Sequence, residues 1–114
     1  MGELEHLLLL SVLQCQRDGI DAYTVPIRQL LVERTGREIA RGAVHTSLDR
    51  LETKGLVSST MGEPVAIRGG RARRYYTVTP LGLNAIRHAQ AAVQTLSAGL
   101  GKLLVATGRK GSRS

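Results

Sequence analysis

Hydrophobic positions in the first half of the chain recur at the spacing of α-helices. Leucines crowd residues 3–17 and predict a first helix with a wide, largely buried apolar face. A second helix is predicted over 24–34, with its threonine at 24 as the N-cap, and a third over 41–54. Gly36 and Gly55 are expected to end these two helices, because glycine readily adopts positive φ.

The third helix has one apolar stripe and several polar residues outside it. The stripe, predicted to face inward, consists of Ala43 or Val44 with Leu48 and Leu51. The polar residues that fall largely on other faces are Arg41, His45, Thr46, Asp49 and Arg50. The helix is therefore expected to present a polar, partly basic surface.

The hydrophobic period changes after the third helix. Residues 56–61 and 74–79 are rich in β-formers and predict two short strands, with a basic loop between them. Two strands alone are marginally stable in water, so this hairpin is expected to pack on the helices. Thr79 followed by Pro80 is an N-cap and first-turn signature, which opens a last helix predicted to reach about Leu104.

The last helix carries a heptad pattern, in which apolar residues recur every seven positions on two interleaved tracks. Gly99 and Gly101 weaken it by about 1 kcal/mol each relative to alanine. A helix that projects past so small a domain has little of its own chain to pack on, which favours a homodimer contact with the leucine-rich first helix as partner. The expected interface residues are Leu4, Leu7, Leu8, Ile86, Ala89, Val93, Leu96, Leu100 and Leu103.

Composition places the chain among small intracellular domains. Its 114 residues, 42% of them hydrophobic, suffice for one domain with a modest core. Cys15 is the only cysteine, so no intramolecular disulfide forms and a reducing cytoplasm fits best. The longest apolar run, Leu7 to Leu10, is far shorter than a bilayer span, and it is not preceded by the basic segment that a signal peptide requires. Membrane and secreted classes are therefore not expected.

Charge is distributed unevenly along the chain. Residues 1–63 hold all nine acidic residues against seven basic ones, a net charge of −2, whereas 64–114 hold nine basic residues and no acid, a net charge of +9. Four arginines fall within seven residues of the predicted hairpin loop: Arg68, Arg71, Arg73 and Arg74. Such a loop suits a polyanion, although the same run also fits a solvated surface loop. Adjacent residues on a strand point to opposite faces, so the last two arginines are expected to point to opposite faces and not all four can face the same partner.

The predicted order of three helices, a two-stranded hairpin and a helix is that of a winged helix-turn-helix, mainly α with a small β-hairpin. The stretch IARGAVHTSLDRLETKGLVSS followed by GGRARRYYTVTPLG resembles the PadR family of bacterial transcriptional regulators. The family pairs a recognition segment, GxxYxxLxRLExxGL, with a wing, GRxRxYYxxTxxG. The matching residues are Gly42, Leu48, Arg50, Leu51, Glu52, Gly55, Leu56, Gly70, Arg71, Arg73, Tyr75, Tyr76, Thr79 and Gly82, with Tyr23 near the start of the second helix.

This resemblance implies a sequence-specific regulator that binds double-stranded DNA as a repressor, with activation left open by the residues. Homodimerisation through the first and last helices predicts an inverted-repeat operator. Residues 1–79 would form the winged-helix domain, 80–107 a dimerisation helix and 108–114 a disordered basic tail. No cofactor is expected, and the resemblance leaves open a small-molecule effector that no residue pattern identifies. Two positions depart from the family pattern: His45 stands where an aromatic is usual, and Ala40 replaces a small polar N-cap residue.

In this fold the third helix docks in the major groove and the wing reaches the flanking backbone or a minor groove. The expected DNA-binding residues are Tyr23, Thr24, Arg41, Gly42, His45, Thr46, Arg50, Arg68, Arg71, Arg73 and Arg74. Arg50 is equally compatible with a phosphate contact and with an internal ion pair to Asp49. Tyr23 and Thr24 are compatible with phosphate contacts or, respectively, with core and cap roles.

Other function classes fit the residues less well. There is no nucleophile motif or phosphate loop, so an enzyme is not expected. The histidines are scattered, which disfavours a metal site, and Cys15 on a leucine-rich helix is more typical of a buried hydrophobe than of a redox sensor. Binding to RNA would not use the third helix, since the major groove of an A-form duplex is too narrow to admit it. The remaining alternatives are a protein-interaction module and a nonspecific nucleic-acid-binding protein.

Overall fold

The structure of the protein, a computed structural model, describes residues 1–62 and 73–105. Its elements follow the predicted order of three helices, an antiparallel hairpin and a helix. They are α1 (Glu3–Asp18), α2 (Thr24–Thr35), α3 (Arg41–Thr53), β1 (Val57–Met61), β2 (Arg74–Val78) and α4 (Pro80–Ser97). The predicted loop residues Arg68 and Arg71 and the predicted tail 108–114 lie outside the described residues. No helix in the described ranges is long and apolar enough to cross a membrane.

The core forms where α1 packs against α2, α3 and β2. On α3 the inward stripe uses Val44, while Ala43 is exposed, which resolves the alternative left by the sequence. Burying apolar side chains from every element around α1 is the main term that stabilises so small a domain. The fully buried side chains are Leu8, Leu9, Val12, Cys15, Ile27, Val44, Leu48, Leu51 and Val57.

The start of α2 differs by one residue from the prediction. Its N-cap is Tyr23, whose carbonyl accepts the first helical hydrogen bond from the Ile27 amide at 3.1 Å. Thr24 is therefore the first helical residue, and predicting it as the cap was wrong. No side-chain hydrogen bond caps α2, nor α3, which begins after Ala40 as predicted. Gly36 ends α2 with φ of 69°, also as predicted.

The hairpin formed by β1 and β2, hereafter the wing, is attached along its outer edge to the α1–α2 region. Its register pairs Val57 with Val78 at the base and Met61 with Arg74 toward the tip. Two amides of β2 that face away from β1 are also satisfied: Tyr76 N donates to Ala22 O (2.8 Å) and Val78 N to Gln16 Oε1 (2.9 Å). The base of the wing is thereby fixed relative to the start of α2.

An ion pair joins the end of α3 to α1. Lys54 Nζ lies 2.7 Å from Glu5 Oε1, and the Glu5 side chain is only 11% exposed. A carboxylate so deeply placed requires a partner, because an unpaired buried charge is costly. The pair therefore fixes α3 at its C-terminal end, opposite the end predicted to approach DNA.

The last helix begins as predicted and ends earlier than predicted. Thr79 Oγ1 accepts from Gly82 N at 3.0 Å, the expected cap. The prediction of a helix to about Leu104 was wrong: α4 ends at Ser97, Gly99 has φ of 81°, and a separate helical turn covers 101–105. Beyond Ile86 no residue of α4 is buried, so no core packing offsets the low helix propensity of the glycines.

The predicted interface residues divide between the core and the surface. Leu8 and Ile86 are 0% and 6% exposed within a single chain, so they are already buried without a partner and belong to the core. Leu4, Leu7 and Ala89 are half-buried. The remaining apolar residues of this region are exposed: Val93, Leu96, Leu100, Leu103, Leu104 and Val105. The C-terminal end of the described chain is thus an apolar surface that residues 1–62 and 73–105 leave exposed.

Candidate nucleic-acid interface

The outer face of α3 presents the polar residues that the sequence singled out. The buried stripe leaves the opposite face to solvent, and five predicted residues are exposed there: Arg41, Gly42, His45, Thr46 and Arg50. Gly42 has nothing within 4 Å of the point where a Cβ would lie, so its backbone is bare on that side. The first turns of α3 combine a cation, a hydroxyl and exposed backbone.

One contact between a histidine and an aspartate lies along this face. His45 Nε2 is 3.5 Å from Asp49 Oδ2, one helical turn further on, and both side chains are more than half exposed. Exposed pairs of this kind contribute little to stability. The sequence left open an internal pair between Arg50 and Asp49; in the described parts of the chain Asp49 pairs with His45, and no ion pair involves Arg50.

A groove of about 400 Å³ separates α3 from the wing. Predicted DNA-binding residues from three separate segments, the start of α2, α3 and the start of β2, meet in this groove. The lining residues are Tyr23, Thr24, His45, Asp49, Met61, Arg73, Arg74 and Tyr76. Five of these eight are among the predicted DNA-binding residues.

Arg74 is held by α3. Its Nη1 lies 3.3 Å from Glu52 Oε1, and the other oxygen of the same carboxylate accepts a hydrogen bond from the Ser59 hydroxyl on β1. Glu52 thus contacts both strands of the wing from the last turns of α3. One consequence is that part of the Arg74 charge is already compensated within the chain.

Arg73 is directed instead at the start of α2. Its guanidinium carbon lies 4.4 Å from the centroid of the Tyr23 ring, a cation–π contact. The Tyr23 ring also stacks on Tyr75, with centroids 5.8 Å apart and planes inclined by 30°. The two neighbouring arginines therefore have different partners, but both line the same groove, because Arg73 precedes β2 and strand alternation does not separate the two side chains.

The turn between α2 and α3 is fixed by Arg28. Its Nε donates to Ile39 O at 2.7 Å. Beside it lies a shallow depression lined by α2 residues and by Arg41 at the start of α3. Neither α2 nor α3 has an acidic residue in its first turn. The depression combines the cations Arg28 and Arg41 with one carboxylate, Glu33.

Sequence reasoning missed the residues that organise the site. Glu52 and Gln16 act between elements 22 and 62 residues apart along the chain, and no local spacing signals such contacts. Arg28 lies within the predicted second helix, and no sequence pattern signals its contact with Ile39. Glu52 could have been identified from the sequence, because it belongs to the motif that carries the family resemblance. Its contact with Arg74 on the wing could not.

Comparison with known families gives one match. A profile described as the transcriptional regulator PadR-like family matches residues 9–88. That range includes α2, α3, the wing and the first half of α4. No protein with a curated description matches the chain.

Solved structures of similar fold include three described as transcriptional regulators of this type. One, from Clostridium difficile, has 19% identity and a TM-score of 0.68, and the match covers 90% of this chain and 99% of that one. One from Bacillus cereus has 21% identity and a TM-score of 0.67, covering 89% and 90%. One from Eggerthella lenta has 29% identity and a TM-score of 0.61, covering 83% and 80%. These likenesses confirm the winged-helix fold.

Proposed function

The chain belongs to the PadR-like family of transcriptional regulators, and on that premise we propose that it is a homodimeric repressor that binds an inverted-repeat operator through α3 and the wing. The observation that most supports this is the groove between them, which gathers His45, Arg73 and Arg74 on one side of the molecule. The outer face of α3 borders this groove and is polar and exposed, as a major-groove helix requires.

Base reading is assigned to the first turns of α3. An arginine donates two hydrogen bonds to guanine O6 and N7, so Arg41 is the leading candidate. Thr46 suits a thymine methyl group or a phosphate, and His45, paired with Asp49, suits a base edge or a phosphate. Gly42 permits close approach of the backbone, since nothing lies within 4 Å of the point where its Cβ would be. Arg50, further along the helix, is assigned a phosphate contact.

The basic side chains that flank α3 are assigned contacts that add affinity for DNA but do not discriminate between base sequences. Arg73, with Arg68 and Arg71 from the loop, would contact the phosphate backbone or a minor groove. Arg74 contributes less, because its charge is shared with Glu52. Thr24, in the first turn of α2, is assigned a phosphate contact, which the uncapped amides of that helix end would support.

Dimerisation is assigned to the exposed apolar end of the described chain. The leucines of α4 and 98–105 that follow Ile86 are not buried by the described residues of one chain, and Leu96 is 79% exposed. An apolar groove of about 170 Å³ between α1 and α2, which includes Leu7 and Leu30, offers a matching surface on a second copy. Pairing α1 with the partner's C-terminal segment would set two α3 helices about 34 Å apart, one turn of DNA.

The remaining parts of the proposal follow from this role. A repressor blocks polymerase by occupying DNA, so no enzymatic step is required of the chain. Its place of action is the cytoplasm, where a bacterial chromosome lies. Release by a small molecule would fit the family resemblance, and the chain offers no tryptophan or phenylalanine to stack on an aromatic effector.

The test is selection of bound sequences from a random duplex pool. The proposal predicts an enriched inverted repeat with half-sites about one helical turn apart. Enrichment of a single half-site would contradict the dimer while preserving sequence-specific binding. Equal, steeply salt-dependent binding to every duplex would favour the nonspecific nucleic-acid-binding alternative, and no binding would favour a protein partner.

A further inference from the structure

Tyr23 joins the start of α2 to the wing through one aromatic ring. The Arg73 guanidinium lies over the ring, 4.4 Å from its centroid. Tyr75, which lies on β2 two residues after Arg73, stacks on the ring with the two ring centroids 5.8 Å apart. A backbone hydrogen bond between the adjacent residues supports this contact: Tyr76 N donates to Ala22 O at 2.8 Å. The ring is therefore held in place by both its own chain segment and the wing.

The two neighbouring wing arginines differ in whether a carboxylate compensates their charge. Arg74 pairs with the Glu52 carboxylate at 3.3 Å, whereas no carboxylate within the described ranges pairs with Arg73. A cation–π contact uses the flat face of a guanidinium, and its N–H donors point outward in the plane of the group. Arg73 can thus rest on Tyr23 and still offer its donors to an anion.

We propose that Tyr23 is a positioning residue, which holds Arg73 ready for a DNA phosphate and does not itself contact DNA. This inference rests on the proposed DNA-binding function and assigns one of its residues a different role. An arginine has many rotamers, and ordering them on binding weakens affinity. Stacking on Tyr23 restricts the rotamers of Arg73 before DNA binds, so less side-chain conformational entropy is lost on binding.

Three variants separate this role from the alternatives. Tyr23→Phe keeps the ring and removes the hydroxyl, Tyr23→Leu removes the ring, and Arg73→Gln removes the cation. Dissociation constants are measured on the selected duplex and on a scrambled duplex of equal length. Tyr23→Phe should bind like the wild type, and Tyr23→Leu should bind about 2- to 5-fold more weakly to both duplexes, because a phosphate contact carries no sequence information.

The double variant is the decisive measurement. If Tyr23 acts through Arg73, adding Tyr23→Leu to Arg73→Gln should cause no further loss of affinity. Arg73→Gln alone should also reduce the salt slope of binding by about one. A loss that persists in the Arg73→Gln background would overturn the inference, since Tyr23 would then act by supporting the fold. Equal losses for Tyr23→Phe and Tyr23→Leu would overturn it in favour of a hydroxyl contact with DNA.

A measurement on the free protein guards against misfolding of Tyr23→Leu. The ring should shift the proton resonance of the Arg73 Nε–H upfield in the wild type and in Tyr23→Phe, and substitution of Tyr23 by leucine should remove that shift. Absence of any shift in the wild type would overturn the proposed positioning. A wild type that binds no duplex at all would overturn the proposed function as well, so the two failures are distinguishable.

Discussion

Gly82 on α4 packs directly against the backbone carbonyl of Leu56, which follows α3. A Cβ at position 82 would lie 2.1 Å from that oxygen and 2.8 Å from a Val78 methyl carbon. The same carbonyl accepts a hydrogen bond from Thr79 N at 3.1 Å, and Thr79 Oγ1 donates to Gly55 O at 2.6 Å. The base of the wing, the end of α3 and the start of α4 therefore meet at one point where only glycine fits.

The first prediction concerns this contact. Gly82→Ala should lower the free energy of unfolding by about 1–3 kcal/mol, because the added methyl group meets backbone that cannot move aside. Urea unfolding measures the change. Gly101→Ala is the matched control, since nothing lies within 4 Å of that position, and it should be neutral or slightly stabilising. Equal unfolding midpoints for the two variants would contradict the packing described here.

The second prediction separates binding from folding on α3. Gly42→Ala should leave the unfolding midpoint unchanged or slightly raised, because its Cβ would meet open space within the chain. The same methyl group should weaken affinity for the selected duplex about tenfold or more, the cost of losing one good base contact. Thr53→Ala, at the far end of α3, is the control and should bind normally. Normal binding by Gly42→Ala would show that DNA does not approach this backbone.

The third prediction concerns the exposed apolar end of α4. Leu96→Glu should convert the dimer to a monomer, because it places a charge at the centre of the proposed interface. Sedimentation equilibrium measures the mass, and circular dichroism should show an unchanged fold, since Leu96 is 79% exposed within one chain. Gln94→Glu makes a similar charge change on the same helix and should remain dimeric. A dimeric Leu96→Glu would place the interface elsewhere.

The fourth prediction is a loss of stability at alkaline pH. Burial, with the nearby Asp18 charge, raises the pKa of the Cys15 thiol, and burial with the Asp49 charge raises the pKa of the Tyr76 hydroxyl. The unfolded chain ionises first, at about pH 8.5 for a thiol and about 10 for a phenol. The free energy of unfolding is thus at its full value below these pH values and falls progressively above them.

Urea unfolding across this pH range tests the claim. Cys15→Ala, although less stable overall, should lose stability less steeply above about pH 8.5 than the wild type, because it lacks the thiol proton. A thiol reagent should also label Cys15 only at the rate of opening, since the side chain is fully buried. Rapid labelling of the folded protein would contradict this burial.

Much of the fold was predictable because its signals are local. Helical spacing, a threonine–proline start at Thr79 and glycine stops such as Gly36 locate the elements to within a residue or two. The end of α4 was not predictable from the heptad pattern. That pattern continues through Gly99, whereas the chain turns there because nothing packs on this part of the helix.

The candidate site was predictable as a set of residues but not as an arrangement. The arginines of the wing and the polar face of α3 were identified from charge and periodicity. Their partners were not, because the contacts of Glu52 with Arg74 and of Tyr23 with Arg73 join residues 22 and 50 positions apart. Only tertiary packing decides which of two adjacent arginines has its charge compensated by a carboxylate.

The most direct test of sequence-specific DNA binding by α3 and the wing is the dissociation constant on the selected duplex and on a scrambled duplex over a salt series. The account predicts a preference of about a thousandfold or more for the selected duplex, with both affinities falling as salt rises. Arg41→Ala should reduce that preference, while Arg73→Gln should weaken binding to both duplexes alike. Equal affinity for the two duplexes at every salt concentration would contradict the account.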